Sequence, residues 1–215
     1  MNDLLIVQYA KWPELGKVKT RLAKSLGDQQ ALAIHMKLMS TVFANLRQAE
    51  SGKFELWLNK QNFNSANFND SPEQKMVLDF MTSLTKDSGV CFQTQQGVSL
   101  GDKMAHTFQA GLQRFQKVII VGSDCPNVSK DVIQGASKAL DGHDLVLGPA
   151  EDGGYVLIGA RCFESAIFTN VEWGKGKVLE TTLNNAKNLD YSVFTLAESW
   201  DVDELDDYNR WIKGA

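Results

Sequence analysis

Two apolar runs stand out along the chain, at residues 4–7 and 118–121. Unbroken runs of this kind are typical of strands that are buried on both faces of a parallel sheet. Residues 28–49 instead show the spacing of a helix with one apolar stripe. The apolar positions of that stripe are Leu32, Met36, Met39, Phe43 and Leu46.

The remaining patterns alternate between strands and helices. Further strands are predicted at residues 54–58, 90–92, 145–147 and 155–158. Further helices are predicted at residues 73–84 and 130–140, and one with a stripe of Met104, Phe108, Leu112 and Phe115. This alternation predicts an α/β fold with a mainly parallel sheet and helices on both faces. A short turn joins the last two strands, which indicates a mixed sheet, and the absence of a repeat or linker predicts one domain over residues 1–215.

Composition narrows the possible functions. Apolar residues make up 43% and charged residues 22%, which is ordinary for a globular protein. A net charge of −4 argues against nucleic-acid binding through a broad basic surface. The three cysteines lack metal-ligand spacing, and the apolar residues 4–10 are too few for a membrane span or a signal peptide. We therefore expect a cytoplasmic protein; the sequence leaves its oligomeric state open.

The loop after the first strand, residues 11–22, concentrates positive charge. Its cationic residues are Lys11, Lys17, Lys19 and Arg21. In parallel α/β sheets ligands bind beyond the carboxyl ends of the strands, and lysines with an arginine fork suit a polyphosphate. Gly16 lets the backbone approach such a ligand. The pattern is neither a Walker loop nor the dinucleotide motif, and the alternative interpretation is a solvated, lysine-rich surface loop.

Asp124 follows the second buried strand, in the segment Gly-Ser-Asp-Cys-Pro at residues 122–126. A carboxylate at the end of such a strand is well placed to hold Mg²⁺ or Mn²⁺ against a diphosphate. The alternative is an aspartate that caps a turn before Pro126. Together with the cationic loop, Asp124 favours a metal-assisted phosphate site.

Four motifs carry a family resemblance. They are Lys-x-Pro-x-x-Gly-x-x-Lys-Thr-Arg-Leu at 11–22, Gly-Ser-Asp-Cys-Pro at 122–126, Gly-Pro-Ala-x-Asp-Gly-Gly-Tyr-x-Leu-Ile-Gly at 148–159 and Asp-Val-Asp at 201–203. In this order they resemble a bacterial family of the nucleotide-diphospho-sugar transferase superfamily, labelled as glycosyltransferases associated with arsenosugar biosynthesis. The chain is also similar to phospholactate guanylyltransferases and molybdenum-cofactor nucleotidyltransferases. The resemblance implies a Rossmann-like, GT-A three-layer sandwich.

The resemblance also implies roles for individual residues. The nucleotide-binding residues that it implies are Lys11, Pro13, Gly16, Lys17, Lys19, Thr20 and Arg21 in the loop, with Leu100 and Gly101 further on. It places Asp124 on the metal, with Asp203 or, as second choice, Asp201 as a further metal ligand. Helix capping is the alternative for that pair. The expected catalytic residues are Lys19, Arg21, Asp124 and Asp152.

The turn Asp152-Gly153-Gly154-Tyr155 is expected to face the acceptor, with Trp173 nearby. In this hypothesis Asp152 orients or deprotonates the attacking group; the alternative is a plain tight turn between strands. Residues 174–177, Gly-Lys-Gly-Lys, depart from the Ser/Gly-Thr that follows the tryptophan in the family. This departure leaves the acceptor open.

Two reactions suit this pattern. The family resemblance favours glycosyl transfer from a nucleotide sugar to a small acceptor. The single strand-end aspartate and the long cationic loop favour the alternative, a nucleotidyltransferase that joins a nucleoside triphosphate to an acceptor and releases pyrophosphate. A non-catalytic nucleotide-binding module is the third possibility. We predict a transferase and place glycosyl transfer first.

Overall fold

The computed structural model describes residues 2–49, 52–60, 71–86 and 90–214. Its strands are β1 (Asn2–Ala10), β2 (Lys53–Leu58), β3 (Cys91–Thr94), β4 (Phe115–Gly122), β5 (Leu145–Pro149), β6 (Tyr155–Ala160) and β7 (Val193–Thr195). In these residues they form one sheet with the order β3-β2-β1-β4-β6-β5-β7. Only β6 runs antiparallel to its neighbours, β4 and β5, among the paired strands described. The predicted α/β class with a mainly parallel mixed sheet is confirmed.

The helices connect these strands. They are α1 (Thr20–Leu26), α2 (Asp28–Arg47), α3 (Pro72–Thr85), α4 (Leu100–Leu112), α5 (Lys130–Ala139), α6 (Val178–Asn188) and α7 (Leu205–Gly214), with a 3-10 turn at Ser165–Phe168. One prediction was wrong, because Phe115 does not belong to α4 but begins β4. A turn at residues 113–114 ends the helix, and Phe115 is the first residue of the strand that follows.

The core lies on both faces of the sheet. Leu5 and Val7 of β1 are buried in a cluster with Phe108 of α4. Leu4 and Ile6 point the other way and are buried in a cluster with residues of α2 and α5. Successive residues of a strand alternate between faces, so a fully apolar strand needs helices on both sides. The result is the predicted three-layer sandwich. None of the helices that the structure describes is long and apolar enough to cross a membrane.

The carboxyl ends of the parallel strands meet at one edge of the sheet. A late segment of the chain is held at the same edge by backbone hydrogen bonds. The amide of Ser199 donates to the carbonyl of Pro149 at 2.9 Å, and that of Val202 donates to the carbonyl of Asp124 at 2.9 Å. This pairing brings residues 199–203 beside the loops that follow β1, β4 and β5.

Candidate active site

Lys19 is turned into the protein by an unusual backbone conformation. It lies in the left-handed region, at φ 48° and ψ 45°, immediately before α1. Few non-glycine residues adopt this region, and those that do often lie at functional sites. Its side chain is only 3% exposed, and the ammonium lies 2.9 Å from an Asp124 carboxylate oxygen. It also donates to the carbonyl of Val202. A buried cation therefore links the first loop, β4 and the late segment.

A second ion pair repeats this link at the surface. Arg21 donates to a carboxylate oxygen of Asp203 at 2.7 Å, with the two side chains 60% and 36% exposed. Lys19 and Arg21 were predicted to bind phosphate, whereas Asp124 and Asp203 were predicted to bind metal. In the structure the predicted cations and the predicted metal ligands are thus paired with each other.

His35 lies beside Asp124 but does not donate a hydrogen bond to it, so one carboxylate oxygen of Asp124 is available to a ligand. The imidazole is 3% exposed, and burial lowers its pKa, so that the ring is neutral near pH 7. Its Nε2 donates to the carbonyl of Lys11 at 3.0 Å, which leaves a lone pair on Nδ1. Nδ1 lies 4.0 Å from Oδ1 of Asp124 and has no proton to give. Within the described part of the chain, this buried oxygen has no hydrogen-bond partner.

Several carboxylates lie close together at this edge. Burial, and then the charges of Asp152, Asp124 and Asp203, raise the pKa of Asp201 from 3.8 to about 6. Among the residues described, no three His, Cys, Asp or Glu side chains are placed to hold a metal ion by themselves. Mg²⁺ commonly takes one or two protein carboxylates and completes its shell with ligand phosphates and water. The free oxygen of Asp124 fits an ion held in that way.

Two cavities open at the strand ends. The first, which we call the loop cavity, has a volume of about 500 Å³. The predicted residues that line it are Lys11, Lys19, Thr20, Arg21, Leu100, Asp124 and Asp203. The second, the turn cavity, has a volume of about 300 Å³ and contains Asp152, Gly154, Tyr155, Trp173 and Asp201 in its wall. Asp124 lines both cavities.

The turn cavity combines aromatic and acidic groups. The rings of Tyr155 and Trp173 meet edge to face, with centroids 6.3 Å apart. Burial raises the pKa of the Tyr155 hydroxyl, so this group is neutral near pH 7. Asp152 Oδ1 accepts a hydrogen bond of 2.8 Å from the amide of Gly154. The turn thereby fixes the orientation of the carboxylate that was predicted to face the acceptor.

Some predicted residues lie outside these two cavities: Pro13, Gly16, Lys17, Gly101 and Gly153. Pro13 lines a separate cavity beside Trp12. Gly16 and Lys17 are exposed, in a turn in which the amide of Lys17 donates to the carbonyl of Glu14 at 3.0 Å. Contact of these loop residues with a nucleotide stays a prediction.

Gly101 and Gly153 allow close packing behind the turn cavity. A Cβ at Gly101 would lie 3.1 Å from Cζ2 of Trp173, so this glycine lets the indole rest on α4. Gly153 has φ +82°, and a Cβ there would lie 2.2 Å from the carbonyl oxygen of Gly176. Both glycines therefore position the segment that carries Trp173.

Among the polar residues that line the loop cavity, Asn59 and Gln95 were not anticipated. Asn59 Oδ1 accepts from the amide of Trp12 at 2.7 Å. Gln95 donates from Nε2 to the carbonyls of Trp57 and Ala10, at 2.9 and 3.2 Å. Asn59 and Gln95 directly follow β2 and β3, so the carboxyl-end rule that singled out Asp124 would have found them.

Comparisons with known proteins agree with this architecture. The family model described as "Uncharacterized protein conserved in bacteria (DUF2064)" matches residues 42–175. No curated protein matches the chain. A crystal structure from Desulfovibrio desulfuricans G20, provisionally named a nucleotide-diphospho-sugar transferase, is 27% identical, with a TM-score of 0.86 over 100% of this chain and 88% of that one.

Two more distant structures share the fold. A CMP:2-keto-3-deoxy-manno-octonic acid synthetase in complex with CTP is 8% identical, with a TM-score of 0.60 over 99% of both chains. Rv0371C from Mycobacterium tuberculosis H37Rv, in complex with manganese, is 16% identical, with a TM-score of 0.53 over 100% of both chains. The predicted superfamily and transferase class are confirmed. Because the family model covers more than half of the sequence, the chain belongs to the bacterial family DUF2064.

Proposed function

We propose that this protein is a metal-dependent transferase that uses its two cavities for two substrates. In this proposal the loop cavity binds the phosphates of a nucleotide sugar, and the turn cavity binds a small acceptor that receives the sugar. The observation that carries the proposal is the position of Asp124, which lies in the walls of both cavities and has one free oxygen. A group in that position can act where the donor and the acceptor meet.

Lys19 and Arg21 are the proposed ligands of the donor phosphates. Both side chains line the loop cavity, together with Lys11 and Lys103. Ammonium and guanidinium groups stabilise the negative charge that develops on a leaving diphosphate. Asp124, with Asp203 or Asp201, would hold Mg²⁺ or Mn²⁺, which would neutralise further charge on the phosphates. The manganese complex of the Mycobacterium tuberculosis neighbour supports a divalent ion in this fold.

Asp152 is the proposed proton acceptor. Its carboxylate lines the turn cavity and is oriented by the amide of Gly154. The acceptor hydroxyl gives its proton to this carboxylate, and its oxygen forms a bond to the anomeric carbon. The bond from that carbon to the diphosphate breaks, and the nucleoside diphosphate leaves with the electron pair. Charge and atoms balance without another reactant.

Nucleotidyl transfer is the second candidate, and the neighbour solved with CTP is the observation that favours it. In that reaction the acceptor attacks the α-phosphorus of a nucleoside triphosphate, and pyrophosphate leaves. The same cations, carboxylates and cavities serve both reactions. The two candidates therefore differ in the donor and in the product, but not in the residues involved.

A melting-temperature screen of nucleotide sugars and nucleoside triphosphates with Mg²⁺ separates these candidates. A donor present at one hundred times its dissociation constant adds about 2.7 kcal/mol to the free energy of unfolding. We expect nucleotide sugars to stabilise the chain more than triphosphates and to release nucleoside diphosphate on turnover. Selective stabilisation by a triphosphate, with release of pyrophosphate, would replace the first candidate with the second. Stabilisation by neither donor would refute the proposed function.

A further inference from the structure

The two cavities differ sharply in charge. The loop cavity contains the cationic side chains of Lys11, Lys19, Arg21 and Lys103. The wall of the turn cavity contains three carboxylates, those of Asp124, Asp152 and Asp201. Its single cation among the described lining residues is Lys175. The loop cavity also contains the carboxylates of Asp124 and Asp203, so among the described lining residues four cations face two carboxylates there, whereas one cation faces three carboxylates in the turn cavity.

The lysine of the turn cavity already has a partner. Lys175 donates to a carboxylate oxygen of Glu172 at 3.0 Å, and both side chains are about two-thirds exposed, at 66% and 67%. A phosphate in this cavity would face the carboxylates of Asp152 and Asp201, beside Asp124 with its partner Lys19, and would have to compete with Glu172 for the lysine. Like charges a few ångströms apart oppose binding, and a single exposed lysine contributes little. The cavity is therefore poorly suited to an anionic substrate group.

The rest of the wall is apolar or aromatic. Met104, Ile158 and Trp173 are part of it, and Trp173 is half-buried beside Tyr155. Aromatic faces and aliphatic side chains pack against the C–H face of a carbon skeleton, while carboxylates accept hydrogen bonds from hydroxyl groups. A volume of about 300 Å³ lies at the lower end for ligand pockets and limits the size of the occupant.

We infer that the acceptor is a small polyhydroxylated molecule that carries neither a phosphate nor a carboxylate group and attacks through a hydroxyl. Its hydroxyl groups donate to Asp152 and Asp201, and one face of its skeleton packs on Trp173. This inference rests on the proposed function. In this arrangement the cations bind the phosphates of the donor, and the carboxylates bind the hydroxyl groups of the acceptor.

Removing phosphate from candidate acceptors tests the inference. A small-molecule extract of bacterial cells is divided, and one half is treated with alkaline phosphatase, which is then removed by filtration. Each half is added to the full chain with Mg²⁺ and the donor found in the melting screen. We expect acceptor-dependent donor turnover to agree within about two-fold between the halves. A loss of ten-fold or more after phosphatase treatment overturns the inference.

A titration with inorganic phosphate decides the same point without turnover. We expect phosphate to bind, if at all, in the loop cavity, so that Arg21→Ala weakens binding and Lys175→Ala leaves it unchanged. Absence of phosphate binding also supports the inference. If Lys175→Ala abolished phosphate binding and Arg21→Ala left it unchanged, the inference would be overturned. Failure of every donor in the melting screen counts against the proposed function alone, because this titration needs no donor.

Discussion

The ammonium group of Lys19 and the carboxylate of Asp124 lie 2.9 Å apart, so that a predicted phosphate ligand and a predicted metal ligand neutralise each other. In the proposed function, a nucleotide that binds Lys19 would draw it away from Asp124 and leave the carboxylate without its cation. A divalent ion that binds Asp124 would remove this cost. The pair therefore predicts that nucleotide and metal strengthen each other's binding, as linkage requires.

The ion pairs of Lys19, which precedes α1, and of Arg21, which lies in its first turn, should differ in their contribution to stability. Lys19→Met leaves Asp124 without its buried partner and should lower the free energy of unfolding by about 2 kcal/mol or more. Arg21→Met breaks an exposed pair and should change it by less than about 1 kcal/mol. Urea unfolding of both variants without ligand measures the difference. Equal losses would show that burial of Lys19 is not what makes its pair important.

Asp201 should give the protein a distinctive pH dependence. Because burial and neighbouring carboxylates raise its pKa from 3.8 to about 6, the folded chain holds this proton more tightly than the unfolded chain. The contribution of this group to stability is therefore fully present below about pH 4 and is lost as the pH rises through about 6. Two pKa units correspond to at most about 3 kcal/mol, and partial exposure to water lowers this figure.

Asp201→Asn removes that titration. We expect the variant to be more stable than the wild type at pH 8, and the difference in free energy to change between pH 4 and pH 6. Urea unfolding of both proteins across this range measures the difference. The contributions of carboxylates that both proteins share cancel in it. A difference that is constant with pH would contradict the raised pKa.

Gly101 should tolerate alanine less well than another helical glycine. Alanine in a helix normally stabilises a protein by about 0.5–1 kcal/mol relative to glycine. Gly135→Ala in α5 is the matched control, because the structure describes no heavy atom within 4 Å of its new Cβ. At Gly101 the Cβ would lie 3.1 Å from Trp173 and from Phe168. We therefore expect Gly135→Ala to gain stability in thermal unfolding and Gly101→Ala to gain none; equal gains would refute the packing role.

The sequence pattern predicted the centre of the fold better than its periphery. The apolar runs of β1 and β4 produced correct predictions because both faces of these strands are buried. Helix α6 was not predicted, since its buried positions, Val178, Thr182 and Ala186, include a polar and a small residue. Strand β7 has only three residues and an exposed pattern, so it carries no periodic signal.

For the site, too, the sequence predicted the residues at the ends of the central strands but not the contacts between distant residues. The carboxyl-end rule led to Asp124 and to the loop that contains Lys19, since each directly follows or closely succeeds a buried strand. Lys19 and Asp124 are 105 positions apart, and their pairing depends on a left-handed backbone at Lys19. No local sequence pattern predicts either feature. His35 lies next to Met36 of the apolar helical stripe, and this position by itself indicates only a structural role. Its hydrogen bond to Lys11 shows that it also shapes the site.

In the proposed function, Asp124 couples a divalent ion to the donor nucleotide. The direct test of this coupling is the binding of the donor from the melting screen with and without Mg²⁺, measured by calorimetry for the wild type, for Asp124→Asn and for Asp152→Asn as the control in the turn cavity. We predict that Mg²⁺ strengthens donor binding at least ten-fold in the wild type and in Asp152→Asn, and not in Asp124→Asn. Metal-dependent binding of wild-type strength in Asp124→Asn would show that Asp124 does not couple the ion to the donor.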